Sequence, residues 1–144
     1  MDEFVEKNAT LERLIQDDKR KWGEKISTII NMSGDVQKIG EAQVLMLSYR
    51  HQLVDAMTDT HFNLYKINTK YEKAFKERYL YYTFEDDRKF TGGEKDKFVR
   101  ADLSELRRQS QMVESHIEFY RECIKTLDNL GFAIKRRMEL ATEF

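Results

Sequence analysis

Proline does not occur in the 144 residues, where average usage near 5% would supply about seven. A proline ring removes a helix hydrogen bond and clashes with the preceding turn, so its absence permits long uninterrupted helices and argues against loop-rich sheet architectures. Cysteine is nearly absent too. Cys123 alone excludes an internal disulfide, no Cys/His cluster has zinc-ligand spacing, and this usage fits a reducing, cytoplasmic compartment. No apolar run approaches the roughly 20 residues that a membrane helix needs. The start, MDEFVEKN, is acidic where a secretory leader would be basic and then apolar, so neither secretion nor membrane insertion is expected.

Other absences narrow the chemistry. His51, His61 and His116 share no spacing suited to a metal site or to a nucleophile and its base. Gly92-Gly93 lacks the lysine and hydroxyl of a phosphate-binding loop, which excludes an NTP-driven motor of that type. Acids abound in Asp17-Asp18 and Glu85-Asp86-Asp87, but a two-metal nuclease needs carboxylates held convergent by a rigid scaffold, and these lie in strongly charged segments. The expectation is a protein with no catalytic residue, no metal and no cofactor.

Charge of neither sign dominates. With 25 Lys and Arg against 26 Asp and Glu, the formal charge is -1, so attraction for phosphate must arise from local clustering. Charged residues make up 35% of the chain and hydrophobic ones 40%, which supplies one domain with a thin core and favours an elongated shape.

The residues that are present follow a helical period. From Val36 the positions Ile39, Gln43, Met46, Arg50, Leu53, Met57, Thr60, Leu64, Ile67, Tyr71, Ala74, Arg78 and Tyr81 succeed one another at alternating steps of three and four. Such a heptad seam predicts one helix within residues 35–87, roughly 75 Å long at the standard rise. The acids at 85–87 oppose the helix dipole and should end it, leaving 88–101 as a loop around Gly92-Gly93. Asp102-Leu103-Ser104-Glu105 fits a capping box for a second helix. Its seam is Leu103, Leu106, Ser110, Val113, Ile117, Tyr120, Ile124 and Leu127. Gly131 should interrupt it before an amphipathic tail with Phe132, Ile134 and Met138.

Residues 1–34 are expected to form a helical segment of short amphipathic turns, with the state of Ile26 to Met32 left open. The fold class predicted is therefore all-α, an antiparallel helical hairpin plus terminal helices. A hairpin hides one stripe per helix, yet Leu45, Leu47, Val54, Phe62, Phe75, Met112 and Phe119 lie off the seams. This predicts a homo-oligomer, with Ile117, Tyr120, Ile124, Leu127, Phe132, Ile134 and Met138 as candidate assembly residues.

One segment points to a ligand. Lys66 to Tyr82, KINTKYEKAFKERYLYY, interleaves Lys66, Lys70, Lys73, Lys76 and Arg78 with Tyr71, Phe75, Tyr79, Tyr81 and Tyr82. Cations neutralise phosphates and rings stack on unpaired bases, a combination that favours single strands over duplex. The bland alternative is a solvated helix face beside seam aromatics, with Glu72 and Glu77 as partial counterions. Arg78 falls on the seam, where a charge needs a carboxylate, a phosphate or solvent. The candidate DNA-binding residues are Lys66, Lys70, Lys73, Lys76, Arg78, Tyr79, Tyr81 and Tyr82.

AFKERYLYY (Ala74 to Tyr82), RADLSEL (Arg100 to Leu106) and GFAIKRRMEL (Gly131 to Leu140), in that order, resemble the UvsY-type recombination mediator proteins of tailed bacteriophages. The resemblance covers about the last half of the chain. It implies a non-enzymatic protein of the bacterial host cytoplasm that binds single-stranded DNA, loosens a single-strand-binding protein and helps a RecA-like recombinase assemble. It also implies ring-like homo-oligomers of about six or seven subunits. The family's lysine-x-arginine DNA motif falls on Lys76 and Arg78, and its oligomerisation region on residues 131–144. Glu77 between the two cations and Tyr79-Leu80 after them depart from the family pattern. A purely structural coiled-coil adaptor that binds no nucleic acid is the rival reading.

Overall fold

The computed structural model describes residues 2–86 and 88–142, and within them every regular element is helical. Four α-helices follow in order: α1 Asp2–Ser33, α2 Ile39–Leu80, α3 Gly92–Asp102 and α4 Ser104–Thr142. A 3-10 turn, Val36–Lys38, precedes α2, and a π turn, Tyr81–Glu85, extends it. The helix expected within 35–87 therefore appears with nearly the expected bounds. Asp35 caps its start by accepting from the Gln37 N–H at 3.0 Å, and Asp86 ends it in extended conformation. Asp87 lies outside the described residues.

Three expectations are corrected. The N-terminal segment is one helix, α1, carried through Gly23, because Asn8, Ile15, Trp22 and Ile29 recur every seven residues and all are buried. Packing of that stripe outweighs the roughly 1 kcal/mol that an interior glycine costs. The expected loop at 88–101 contains α3. Its capping box lies at Thr91, not Asp102: Thr91 Oγ1 accepts from the Glu94 N–H while Glu94 Oε1 accepts from the Thr91 N–H, both at 3.2 Å. Asp102 instead closes α3. Finally, α4 continues through Gly131, where an added Cβ would meet Met46 Cε at 3.4 Å. That is an ordinary contact with the end of a flexible side chain, and the tail is part of α4.

The chain divides into two compact units. One comprises residues 14–60 and 116–142. Its core joins Trp22 and Ile29 of α1, Met46 and Leu53 of α2, and Tyr120, Cys123, Leu127 and Ile134 of α4. Burying each of the larger aliphatic side chains contributes about 1.5–3 kcal/mol. Off-seam Leu45 and Phe119 pack against this cluster, because α1 offers α2 and α4 a second partner that a two-helix hairpin lacks. Leu47 and Val44 stay exposed and, with Phe132, border an apolar groove of about 780 Å³ floored by Met46, Leu127 and Gly131.

The other unit comprises residues 2–13 and 61–115. Here α2 turns half-buried Leu64, Ile67, Tyr71 and Ala74 inward, α4 contributes buried Leu106 and Val113, and α3 contributes buried Val99. Polar ties supplement this interior. Asn8 Nδ2 donates to the Glu105 carbonyl at 2.8 Å and to its carboxylate at 3.0 Å, and Ser110 Oγ donates to Asn68 Oδ1 at 2.7 Å.

Candidate nucleic-acid interface

The basic, aromatic stretch of α2 belongs to the unit of residues 2–13 and 61–115, and its side chains separate into two sets. On the face towards α3, Tyr71, Phe75 and Tyr79 succeed one another at four-residue steps with ring centroids 6.2 and 6.5 Å apart. Cations of α3 lie over this ladder, Arg100 at 5.7 Å from Phe75 and Lys95 at 5.6 Å from Tyr79. Tyr79 is thus occupied within the chain.

Arg78 and Tyr82 are occupied as well. Both converge on one oxygen of Asp102: Arg78 Nη2 donates to Oδ2 at 2.8 Å, Arg78 Nε at 3.0 Å, and the Tyr82 hydroxyl at 2.6 Å. The guanidinium also stacks over the Tyr81 ring at 4.5 Å and the Tyr82 ring at 5.3 Å. Hydrogen bonding to Asp102 raises the Arg78 pKa above its ordinary value, and the same acceptor raises that of the Tyr82 hydroxyl. An acid at a helix C-terminus opposes the dipole, and Asp102 holds that place on α3 because the guanidinium neutralises it. Of the carboxylate, phosphate or solvent that the seam arginine requires, the chain supplies the carboxylate.

Beyond Tyr82 the rings of Phe90 and Phe98 complete a cluster, with centroids 4.9 to 6.0 Å apart. Arg88 covers Phe90 at 5.0 Å while pairing with Asp86, whose carboxyl it holds below the usual range. These contacts fasten the π turn to α3.

The lysines form the second set. Lys66, Lys70, Lys73 and Lys76 are all exposed, and none makes an ion pair among the described residues. Lys70 sits over the Phe4 ring at 5.4 Å, beside a cleft of about 280 Å³ that Ala74, Glu77 and Leu106 also line. The three- and four-residue steps between these lysines keep them on one side of α2, with Glu77 as the only acid in that arc. Tyr81 is half-exposed above Arg78. Exposed rings that the sequence reading left out of the site flank the lysines along the chain, Phe62 and Tyr65 on α2 and Phe84 in the π turn. Seam position gave no signal for them: all three fall off the seam, but so do Phe75, Tyr79 and Tyr82, whose rings are held within the chain.

The candidate assembly residues also divide. Ile117, Tyr120, Leu127 and Ile134 are buried in the chain's own interior and Ile124 packs against it, which leaves Phe132 and Met138 exposed. Tyr120 and His116 share a polar site in the unit of residues 14–60 and 116–142. The Tyr120 hydroxyl donates to Asp18 Oδ2 at 2.6 Å, and His116 Nε2 lies 2.8 Å from the same oxygen. Burial, then Asp18, raises the Tyr120 pKa. Cys123 nearby is a buried thiol whose pKa burial pushes up to about 11, the opposite of an activated nucleophile.

Among the described residues no three His, Cys, Asp or Glu side chains are grouped to hold a metal ion, and no helix is long and apolar enough to cross a membrane. No protein-family model, curated protein or solved structure matches this chain.

Proposed function

We propose that this protein is a recombination mediator, a non-enzymatic factor that binds single-stranded DNA and promotes loading of a RecA-like recombinase onto strands coated by single-strand-binding protein. The observation that carries the reading is the lysine face of α2, where Lys66, Lys70, Lys73 and Lys76 stand exposed without a counterion among the described residues. Four unneutralised cations in a chain of net charge -1 are a local phosphate site, able to release counterions from a strand. The resemblance of three segments to phage recombination mediators supplies the biological role. Arg78 and Tyr82 brace the surface through Asp102, and the lysines make the phosphate contacts.

Self-association is the second part of the proposal. The groove bordered by exposed Val44, Leu47 and Phe132, together with exposed Met138, supports a contact between copies. Linked copies multiply a weak single site on one long strand. The rival, a structural adaptor that binds no nucleic acid, draws its support from Arg78, Tyr79 and Tyr82, which are all engaged inside the chain.

The two readings separate in a titration of a fluorescent oligonucleotide at several salt concentrations. The mediator requires binding that weakens with salt, and Lys66→Ala/Lys73→Ala lowers the slope of log affinity against log salt by roughly 1.4, two single-strand phosphate contacts. Equal affinity and equal slope for wild type and variant would sink the lysine surface.

A further inference from the structure

The side of α2 that carries the lysines also carries apolar surface which the fold leaves uncovered. Phe62 is 64% exposed and Tyr65 72% exposed, immediately before Lys66, and beyond Lys76 the π turn leaves Phe84 78% exposed. Every other ring of the Lys66–Tyr82 segment except Tyr81 is held in the ladder beside α3 or in the cluster around Tyr82. Exposing three large aromatic side chains next to a row of cations costs solubility and stabilises nothing within the chain. Phe62 stands one helical turn before Lys66, and Tyr65 is a neighbour of Phe62 at a three-residue step, so these rings adjoin the first ammonium group, while Phe84 follows the last in the π turn.

Along the chain, then, exposed rings lie at both ends and positive charge between. Polyanions with flat apolar faces match this arrangement: phosphates meet the ammonium groups while unpaired bases cover the rings. A duplex would satisfy only the charges, because its bases are already stacked and their faces closed. An acidic protein segment would likewise satisfy the charges and leave flat faces unmatched. Charge complementarity and the flat shape of the exposed groups thus select one occupant, an unpaired polynucleotide.

We infer that Phe62, Tyr65 and Phe84 are base-stacking platforms flanking the phosphate contacts of Lys66, Lys73 and Lys76, and that they make the site selective for unpaired strands. This assignment rests on the nucleic-acid reading above and differs from it in what it demands of the ligand. Phosphate neutralisation requires only a charged backbone, whereas stacking requires bases. It also moves the stacking role from Tyr79 and Tyr82, whose rings are taken, to rings that the fold leaves exposed.

The test uses the full-length protein with two labelled strands of equal phosphate number, an oligothymidylate and an abasic strand, at fixed salt. Wild type binds the oligothymidylate about ten-fold or more tightly than the abasic strand, since each stacked base contributes measurably. Phe62→Ala/Tyr65→Ala/Phe84→Ala binds both strands at the abasic level with the salt slope unchanged. The ring-preserving Phe62→Tyr/Tyr65→Phe/Phe84→Tyr retains the preference, which excludes a general loss of structure. Equal wild-type affinity for the two strands, or a preference that survives in the alanine variant, overturns the stacking assignment and leaves the lysine site standing. Failure of wild type to bind either strand overturns both.

Discussion

The two units of this chain both draw on α1, α2 and α4, with α3 in only one of them, yet enclose different things. In the unit of residues 14–60 and 116–142 the enclosed side chains are mainly aliphatic or aromatic: Trp22, Ile29, Leu53, Leu127 and Ile134 sit at 5% exposure or less around a common centre. In the unit of residues 2–13 and 61–115 the enclosed apolar set shrinks to Val99, Leu106 and Val113, joined by polar Asn8 and Ser110. Asn8 Oδ1 is buried there without a hydrogen-bond partner among the described residues. Rings and cations do in that unit what aliphatic packing does in the other. Stability is therefore concentrated in residues 14–60 and 116–142, and surface chemistry in the half that has the lysines.

The largest expected effect tests that division. Leu53 is fully buried in the aliphatic core, and Leu53→Ala leaves a cavity that costs about 3 kcal/mol. Urea unfolding should show a lower midpoint at unchanged slope. Phe75→Ala, which removes a half-buried ring from the ladder beside α3, should cost clearly less. Equal losses would break the comparison, since they would mean that the ring ladder holds the fold as firmly as the core does.

A smaller effect comes from titration. The folded chain keeps the Cys123 thiol neutral up to about pH 11, against an ordinary pKa of 9.0, and the Tyr120 hydroxyl shifts in the same upward direction. For a raised pKa the contribution to stability is full below the unfolded value and disappears as pH climbs through the folded one. Stability should accordingly fall between about pH 9 and pH 11, as the unfolded chain releases protons that the folded chain retains. Cys123→Ala removes the thiol's share of that decline. Urea midpoints on either side of the window check it, and a profile identical to wild type would place the alkaline loss elsewhere.

Particular residues show what could be read in advance. The α2 seam was legible because eight of its members between Ile39 and Arg78 are apolar or aromatic at regular steps, and all eight are buried or half-buried. The α1 seam runs with the same period through Asn8, Leu11, Ile15, Asp18, Trp22 and Ile29, but its polar members conceal it. Asn8 and Asp18 acquire their partners, Glu105 and His116, from residues about a hundred positions away, which no local pattern reveals. For α3 the misleading signal was Gly92-Gly93, a pair that reads as a loop and here starts a helix because Thr91 and Glu94 cap it. At the site, the lysines were legible as an exposed arc; the rings were not. Of the rings expected beside Arg78, Tyr79 and Tyr82 have partners within the chain and Tyr81 is half-exposed, and seam position does not separate them from Phe62, Tyr65 and Phe84, since Tyr79 and Tyr82 lie off the seam as well.

The smallest effect bears on whether Arg78 belongs to the fold or to the ligand. Arg78 and Asp102 are both partly exposed, so their pairing contributes only about 0.5–1 kcal/mol, and a double-mutant cycle of Arg78→Ala and Asp102→Ala should return a coupling of that size. Strand affinity supplies the sharper contrast. As a brace, Arg78 can be lost with near-normal binding to single-stranded DNA, and Asp102→Ala should tighten binding by freeing a guanidinium that lies on the same helix as the lysines. If Arg78→Ala instead weakens binding while the unfolding midpoint stays fixed, the guanidinium serves phosphate ahead of Asp102. The division of this segment into a bracing set and a binding set would then fail at the residue where the two sets meet.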